Sequence, residues 1–249
     1  AEKFMDIVSP YGGFHPEAVV VVTTVRALKL HGGLPKDRLG EEDLEAVRAG
    51  LANLEAHIGN MQQFGVPVVV ALNRFTADTD RELELVRGAV QAQGASIALA
   101  EVWAKGGEGG LELADRVLEA LDKGNRYGPL YAWNLPLAEK IRTVATKVYG
   151  ADGVVLEEGA AKTLKELESL GYGNLPVCMA KTQMSLSDRP ELKGRPKGFE
   201  VHVREVRLSA GAGFVVAICG PIMTMPGLPK SPAAERIDID ADGRITGLF

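Results

Sequence analysis

The chain has 249 residues, 46% hydrophobic and 24% charged, the balance of an ordinary globular protein with length for one large domain or two modest ones. A net charge of −5 with no run of Lys or Arg disfavours nucleic-acid binding through a basic surface. No apolar stretch approaches the ~20 residues of a membrane span and no leader pattern opens the chain, so the cytoplasm is the expected compartment.

No element is assigned before residue 18, and Ala1-Glu2-Lys3-Phe4, without Met, fits equally a chain cut from something longer and one trimmed by design. Residues 18–24 are a β-branched run without alternation, the pattern of a parallel strand buried on both faces or, where its neighbours are missing, of an aggregation-prone edge until paired. Residues 41–64 place Leu44, Val47, Leu51, Leu54, Ile58 and Met61 at helical spacing, and Gly65 stands where a left-handed cap ends a helix. Strands are expected at 66–72 and 96–102, and helices at 78–93 and 109–121. This alternation predicts a parallel sheet with crossover helices. After a Gly-, Asn- and aromatic-rich break at 122–134, helices are expected at 135–149 and 157–170, and strands at 152–156 and 175–180. From residue 182 the texture changes to loops, then to strands at 199–208 and 214–219 and a hairpin at 237–245 around Asp242-Gly243. The fold class is α/β, a parallel or mixed sheet with crossover helices, followed by a smaller α+β region with antiparallel strands.

Several short patterns are decoys. Asp238-Ile-Asp240-Ala-Asp242-Gly243 opens like a calcium loop, but its twelfth position is Phe249 rather than a bidentate Glu, so a hairpin is the better reading. Lys181-Thr182 has the ending of a phosphate-binding loop without its glycines, and no G-x-x-x-x-G-K-[ST] match occurs in the chain. Gly211-Ala-Gly213 leads into a strand rather than the helix a dinucleotide fingerprint needs. His15, His31, His57 and His202 lack metal-ligand spacing, and no nucleophile elbow is present. Neither a catalytic nor a metal-ligating residue is assigned. Cys178 and Cys219 each lie in an apolar run and read as buried, reduced thiols.

Two features survive. Asn73-Arg74-Phe75 follows the second strand, and Trp103-Ala-Lys105-Gly106-Gly107-Glu108-Gly-Gly110 follows the third. Ligands of parallel α/β sheets sit outside the carboxyl ends of strands. Trp103 is expected to end its strand, with a helix from Gly109 or Gly110 whose free N–H groups suit an anion. Two aromatics on one rim would clamp a flat heterocycle; the residues alone leave open that Phe75 and Trp103 instead cap the core.

Trp103-Ala-Lys-Gly-Gly-Glu-Gly-Gly110 and Val68-Val-Val-Ala-Leu-Asn73, with Thr24-Val-Arg-Ala-Leu-Lys-Leu-His-Gly-Gly33, Leu170-Gly-Tyr-Gly-Asn-Leu-Pro-Val177 and Arg204-Glu-Val-Arg-Leu-Ser-Ala-Gly-Ala-Gly-Phe214, resemble formate–tetrahydrofolate ligase. So do Ala180-Lys-Thr-Gln183, Ser185-Leu-Ser-Asp188 and Ile222-Met-Thr-Met-Pro-Gly-Leu-Pro-Lys230. The resemblance runs through essentially the whole chain and corresponds to the C-terminal half of that family's polypeptide. It implies an ATP-dependent synthesis of 10-formyltetrahydrofolate through formyl phosphate, with ATP and tetrahydrofolate as substrates and Mg held with ATP through the N-terminal half. Phe75 and Trp103 match a family pair that sandwiches the pterin and, in nearly the same space, the adenine; Leu99 lines the adenine side. The resemblance also implies a homotetramer, small-molecule substrates and the N-terminal half as partner, on the same or a separate chain. It divides the sequence into 1–35, the end of the family's N-terminal nucleotide-binding domain; 36–180, the α/β domain with the ring site; and 181–249, a mainly antiparallel β region. Departures from the family's pattern are Val8-Ser9-Pro10 in place of a Lys-Cys-Arg-like stretch, Thr76 in place of Pro, and Met184 in place of Tyr. The alternative function is a non-catalytic folate- or nucleotide-binding fragment, or a scaffold chain.

Overall fold

A computed structural model describes residues 1–222 and 230–247. The motif 222–230 therefore lies mostly, and Phe249 wholly, outside the described residues. The chain opens on helix, a π-type turn at Phe4–Val8 running into α1 (Ser9–Gly12). Met5 and Ile7 are buried here while Phe4, Val8 and Tyr11 are exposed. Apolar side chains on both faces leave no amphipathic period, so this helix is not legible in the sequence.

The first unit alternates strand and helix as expected. β1 (Val19–Thr23) leads into α2 (Val25–His31), whose N-cap Thr24 accepts the Ala27 N–H at 3.0 Å. At seven residues α2 is too short to show a periodic pattern, and the sequence reading missed it. α3 (Leu44–Gln62) follows, capped by Asp43 accepting from Ala46 at 2.8 Å. Its apolar stripe, Val47, Leu51, Leu54, Ile58 and Met61, is buried. Gly50 lets α2 and α3 touch backbone to backbone: a Cβ there would lie 1.9 Å from the Leu28 carbonyl oxygen. β2 (Val68–Asn73) is buried along nearly its whole length. α4 (Asp80–Ala92) begins with a capping box between Thr79 and Glu82 and leads to β3 (Ser96–Ala100). The sheet runs β1-β2-β3, all parallel, with Val19 opposite Val68 and Leu72 opposite Leu99.

Of the two readings of residues 18–24, the edge strand matches and burial on both faces does not. β1 is an edge strand, and Val20 and Val22 are 41% and 67% exposed rather than buried on both faces. An unbroken apolar run reports burial of side chains in a complete sheet; it does not tell a central strand from an edge one.

After β3 the chain turns through α5 (Val102–Lys105) and a 3-10 turn (Gly106–Gly110) into α6 (Leu111–Asp122). A second unit then forms from α7 (Leu137–Lys147), β4 (Gly153–Leu156), α8 (Glu158–Ser169), β5 (Val177–Ala180), β6 (Glu200–Ser209) and β7 (Phe214–Cys219). Its sheet order is β4-β6-β7-β5; only the β6–β7 pair is antiparallel, and the outer two pairs are parallel. The strands after residue 199 thus complete a mixed sheet begun by β4 and β5. Ile141 and Val144 of α7 and Leu164 of α8 cover it against Val201, Val203, Val215 and Ala217. The terminal hairpin is β8 (Asp238–Ile239) and β9 (Ile245–Thr246), antiparallel as the alternation of Ile predicted. Asp240 Oδ1 accepts from the Asp242 and Arg244 N–H groups, so the acidic run closes a turn. Cys219 is buried, whereas Cys178 is only half-buried, and both thiols are free. Among the described residues no helix is long and apolar enough to cross a membrane.

Buried polar groups join the units. Asn53 and Asn60 of α3 donate to the carbonyls of Gly194 and Val148, each at 2.8 Å. Asp6 Oδ1 accepts the Leu130 N–H at 2.7 Å, while Oδ2 is buried without a partner. Burial, with the Glu2 charge, pushes the Asp6 carboxyl up to about 7 against the pull of the Leu130 N–H. A raised carboxyl pKa means the folded state holds the proton between the ordinary value and about 7, so this group's contribution to stability falls as pH rises through that window. Asp6→Asn keeps the acceptor and removes the charge. It should stabilise the protein by roughly 1–3 kcal/mol at pH 8 and by little at pH 4 in denaturant titrations; an equal effect at both pH values would contradict the assignment.

Candidate functional site

The carboxyl ends of the three parallel strands present three loops side by side, the usual position of a ligand on such a sheet. The β1 loop turns at Thr24 into α2 and brings in Arg26. The β2 loop runs through Arg74 and Phe75 to Asp78. The β3 loop carries Trp103 and the glycines.

The Phe75 turn is closed from both sides. The Phe75 N–H donates to Asp78 Oδ2 at 2.8 Å, and the Asp78 N–H donates back to the Phe75 carbonyl at 3.0 Å. The Arg26 guanidinium lies over the Phe75 ring, 4.3 Å from its centroid. Phe75 is half-buried and Asp78 buried.

Trp103 sits in α5 rather than at the end of the strand, because β3 stops at Ala100 and Glu101 accepts the Ala104 and Lys105 N–H groups at its carbonyl. Its indole Nε1–H donates to the Arg74 carbonyl at 2.8 Å, which fixes the ring beside the peptide that enters Phe75. The two loops are also joined by the Arg74 N–H to the Ala100 carbonyl, 3.0 Å, and by the Arg74 side chain between Asp80 and Glu101. Trp103 is 61% exposed. Its indole belongs to neither of the two hydrophobic clusters. No ring–ring contact joins Phe75 to Trp103 among the described residues.

The remaining expected residues have specific places. Asn73 ends β2 opposite Ala100. Leu99 is half-buried in β3 against the first hydrophobic cluster, its N–H donating to Glu112 at 3.3 Å. Lys105 is paired with Glu101 at 2.5 Å and so belongs to the loop's own structure. Gly106, Gly107 and Glu108 form the exposed part of the 3-10 turn. The close backbone approach expected of the glycines is real at Gly109, where a Cβ would meet the Glu101 carbonyl at 2.5 Å. The long helix starts at Leu111, one residue beyond the expected range, and no side chain caps it.

The sequence reading did not find Arg26, or the role of Asp78, or what sets them. Lys29 of α2 and Glu82 of α4 form an ion pair at 2.6 Å with neither side chain accessible. Glu82 also accepts the Asp43 N–H at 3.0 Å and the Thr79 N–H at 3.1 Å, and Lys29 Nζ donates to the Glu41 carbonyl at 2.6 Å. Burial pushes the Glu82 carboxyl up, but the Lys29 ammonium and the two N–H donors outweigh it and hold the carboxyl below its ordinary value. The pair ties α2, which carries Arg26, to the start of α4, which follows Phe75 and Asp78. The spacing of Thr79 and Glu82, that of a capping box, is the one signal that could have found Glu82; nothing in the sequence points to Lys29.

Removing one partner of a buried pair leaves the other charge unpaired. Lys29→Met should therefore cost roughly 3–5 kcal/mol in denaturant unfolding, and a loss under about 1 kcal/mol would show that the pair does not organise this region.

Residues 1–249 match a family model described as formate–tetrahydrofolate ligase.

Proposed function

The chain belongs to the formate–tetrahydrofolate ligase family, and from that premise we propose that it supplies the ring-binding part of an ATP-dependent ligase that makes 10-formyltetrahydrofolate. One observation carries the reading: an exposed Trp103 is locked by its ring nitrogen to the carbonyl that precedes a half-buried Phe75. Large aromatic surface in water is costly unless something flat covers it. Pterin and adenine are both flat, and one clamp serves each in turn. Leu99 is the apolar wall on the adenine side, and the Asn73 and Lys105–Glu108 loops form the rim.

Formate attacks the γ-phosphate of ATP in this scheme, giving formyl phosphate as ADP leaves, and N10 of tetrahydrofolate then attacks the formyl carbon, expelling inorganic phosphate and losing its proton. Such phosphoryl transfer depends on groups that neutralise the transferring phosphate. The 249 residues contain no G-x-x-x-x-G-K-[ST] loop, so we assign those groups to the family's N-terminal half, as partner on the same or another chain. Among the described residues no cluster of three His, Cys, Asp or Glu side chains suits a metal ion. In this reading Mg accompanies ATP and is held through the N-terminal half, with the phosphate-binding groups. A cytoplasmic homotetramer is the setting this reading implies.

The purified 249-residue chain, given ATP, formate and tetrahydrofolate, should form no 10-formyltetrahydrofolate; product at a rate typical of an enzyme would overturn the division of labour. Trp103→Ala should weaken tetrahydrofolate binding by roughly 1–3 kcal/mol, the worth of an aromatic stacked on a heterocycle. Equal affinity in variant and parent would exclude Trp103 from the clamp, and absence of binding to either ring would favour a scaffold chain.

A further inference from the structure

A cavity of about 370 Å³ lies between the two units, where the chain leaves β5, and no residue of the ring site lines it. Two ammonium groups, Lys3 and Lys181, and two imidazoles, His31 and His57, stand in its wall. Glu2 is the one carboxylate among the lining side chains, and its Oε1 already accepts the Tyr149 hydroxyl at 2.9 Å. A chain of net charge −5 thus keeps a positive cavity. The Lys181 ammonium is fixed by the Thr182 and Ser185 carbonyls and lies 4.7 Å from the Tyr149 ring centroid. Among the described residues the lysine ion pairs are those of Lys29 and Lys105, so neither Lys3 nor Lys181 is neutralised by a carboxylate. His31 Nδ1 accepts the Gly194 N–H at 3.2 Å, which leaves the ring proton on Nε2. His57 sits on α3 between Asn53 and Asn60, whose amides bond across to the second unit. Desolvation lowers both imidazoles below their ordinary value; at His57 the charges of His31 and Lys181 add to it and Glu2 opposes it. Burial lowers the Lys181 ammonium in the same way. Like charges crowded into one water-poor space are costly, and a single anion relieves all of them.

We propose that this cavity binds a small molecule bearing an oxyanion, a phosphate ester or a short dicarboxylate, with His57 and His31 Nε2 as donors under the charge of Lys181 and Lys3. Its position follows the rule for parallel strands: Lys181 directly follows β5, which pairs in parallel with β7. Its volume stands near the lower end of small-ligand cavities, about 300–1,000 Å³, so the ligand has few heavy atoms. The donors come from the first unit and the fixed ammonium from the second, so the ligand ties the units together. Charged imidazole holds an anion better than neutral imidazole, and binding therefore takes up protons at His57 and His31. The site shares no residue with the ring site, and either can fail without the other.

The test titrates the 249-residue chain with sulfate, which has the shape of a phosphate group and a constant charge across the imidazole range, and with succinate, at an ionic strength held constant with chloride. The imidazole resonances of His57 and His31 are followed by nuclear magnetic resonance. Both should move and saturate together with at least one of the two anions; tighter sulfate marks a phosphate ester, tighter succinate a dicarboxylate. Sulfate affinity should rise as pH falls through the imidazole range. His57→Gln should weaken the better anion roughly tenfold, the least that a hydrogen bond to a charged group is worth. Lys3→Gln, on the opening turn, should weaken it as well, so a local disturbance of α3 does not imitate the result, and Trp103→Ala should leave it unchanged. No saturable movement with either anion, equal affinity in both cavity variants and the parent, or sulfate affinity independent of pH would overturn the proposal.

Discussion

The buried contact between Lys29 and Glu82 is the constraint on which the site depends. Two charges removed from water cost several kcal/mol each, and the fold keeps them because each does more than neutralise the other. Glu82 holds the N–H groups at the starts of both α3 and α4. Lys29 holds a carbonyl of the loop that enters α3. An apolar replacement would fill the space but leave these backbone groups unpaired. The consequence is directional: α2 is fixed in rotation, so Arg26, three residues before Lys29, faces Phe75. The loop that carries Phe75 and Asp78 is pinned at its far end by Thr79.

From that frame the rim follows by short-range bonds. The parallel register of β1, β2 and β3 sets three loops side by side. Gly109 admits the Glu101 carbonyl, which lets the chain turn back after β3. The turn then presents Trp103 with its nitrogen satisfied and its ring faces open. An ordered, exposed aromatic has already lost the freedom that binding would otherwise cost. The site is thus a platform held by backbone geometry, and it suits flat ligands better than any particular one. Under the proposed function, that tolerance lets two heterocyclic substrates share it.

Much of this frame was legible in the sequence. Apolar periodicity located α3, α4, α7 and α8 to within a few residues, and the β-branched runs located β1 and β2. The Asp-Gly hairpin was readable because turn chemistry is local. Phe75 and Trp103 were picked out by their places after consecutive strands. What stayed hidden depends on groups far apart in the chain. α2 is too short for a period. The completion of the second sheet by β6 and β7 pairs Gly153 with Glu200 and Val177 with Val215, residues about forty to fifty apart. Lys29, Arg26 and Asp78 look like ordinary surface residues in the sequence; only the packing of α2 on α4 and on the Phe75 turn shows that Lys29 and Asp78 are buried and Arg26 half-buried.

The most direct test of the central claim, one aromatic clamp serving two rings in turn, is a measurement of intermolecular nuclear Overhauser effects on the 249-residue chain. With tetrahydrofolate, pterin protons should contact both the Phe75 ring and the Trp103 indole. Adding adenine nucleotide should replace those contacts with ones from the adenine protons to the same two side chains. Pterin contacts that persist unchanged when adenine contacts appear elsewhere, or that involve neither Phe75 nor Trp103, would contradict the account.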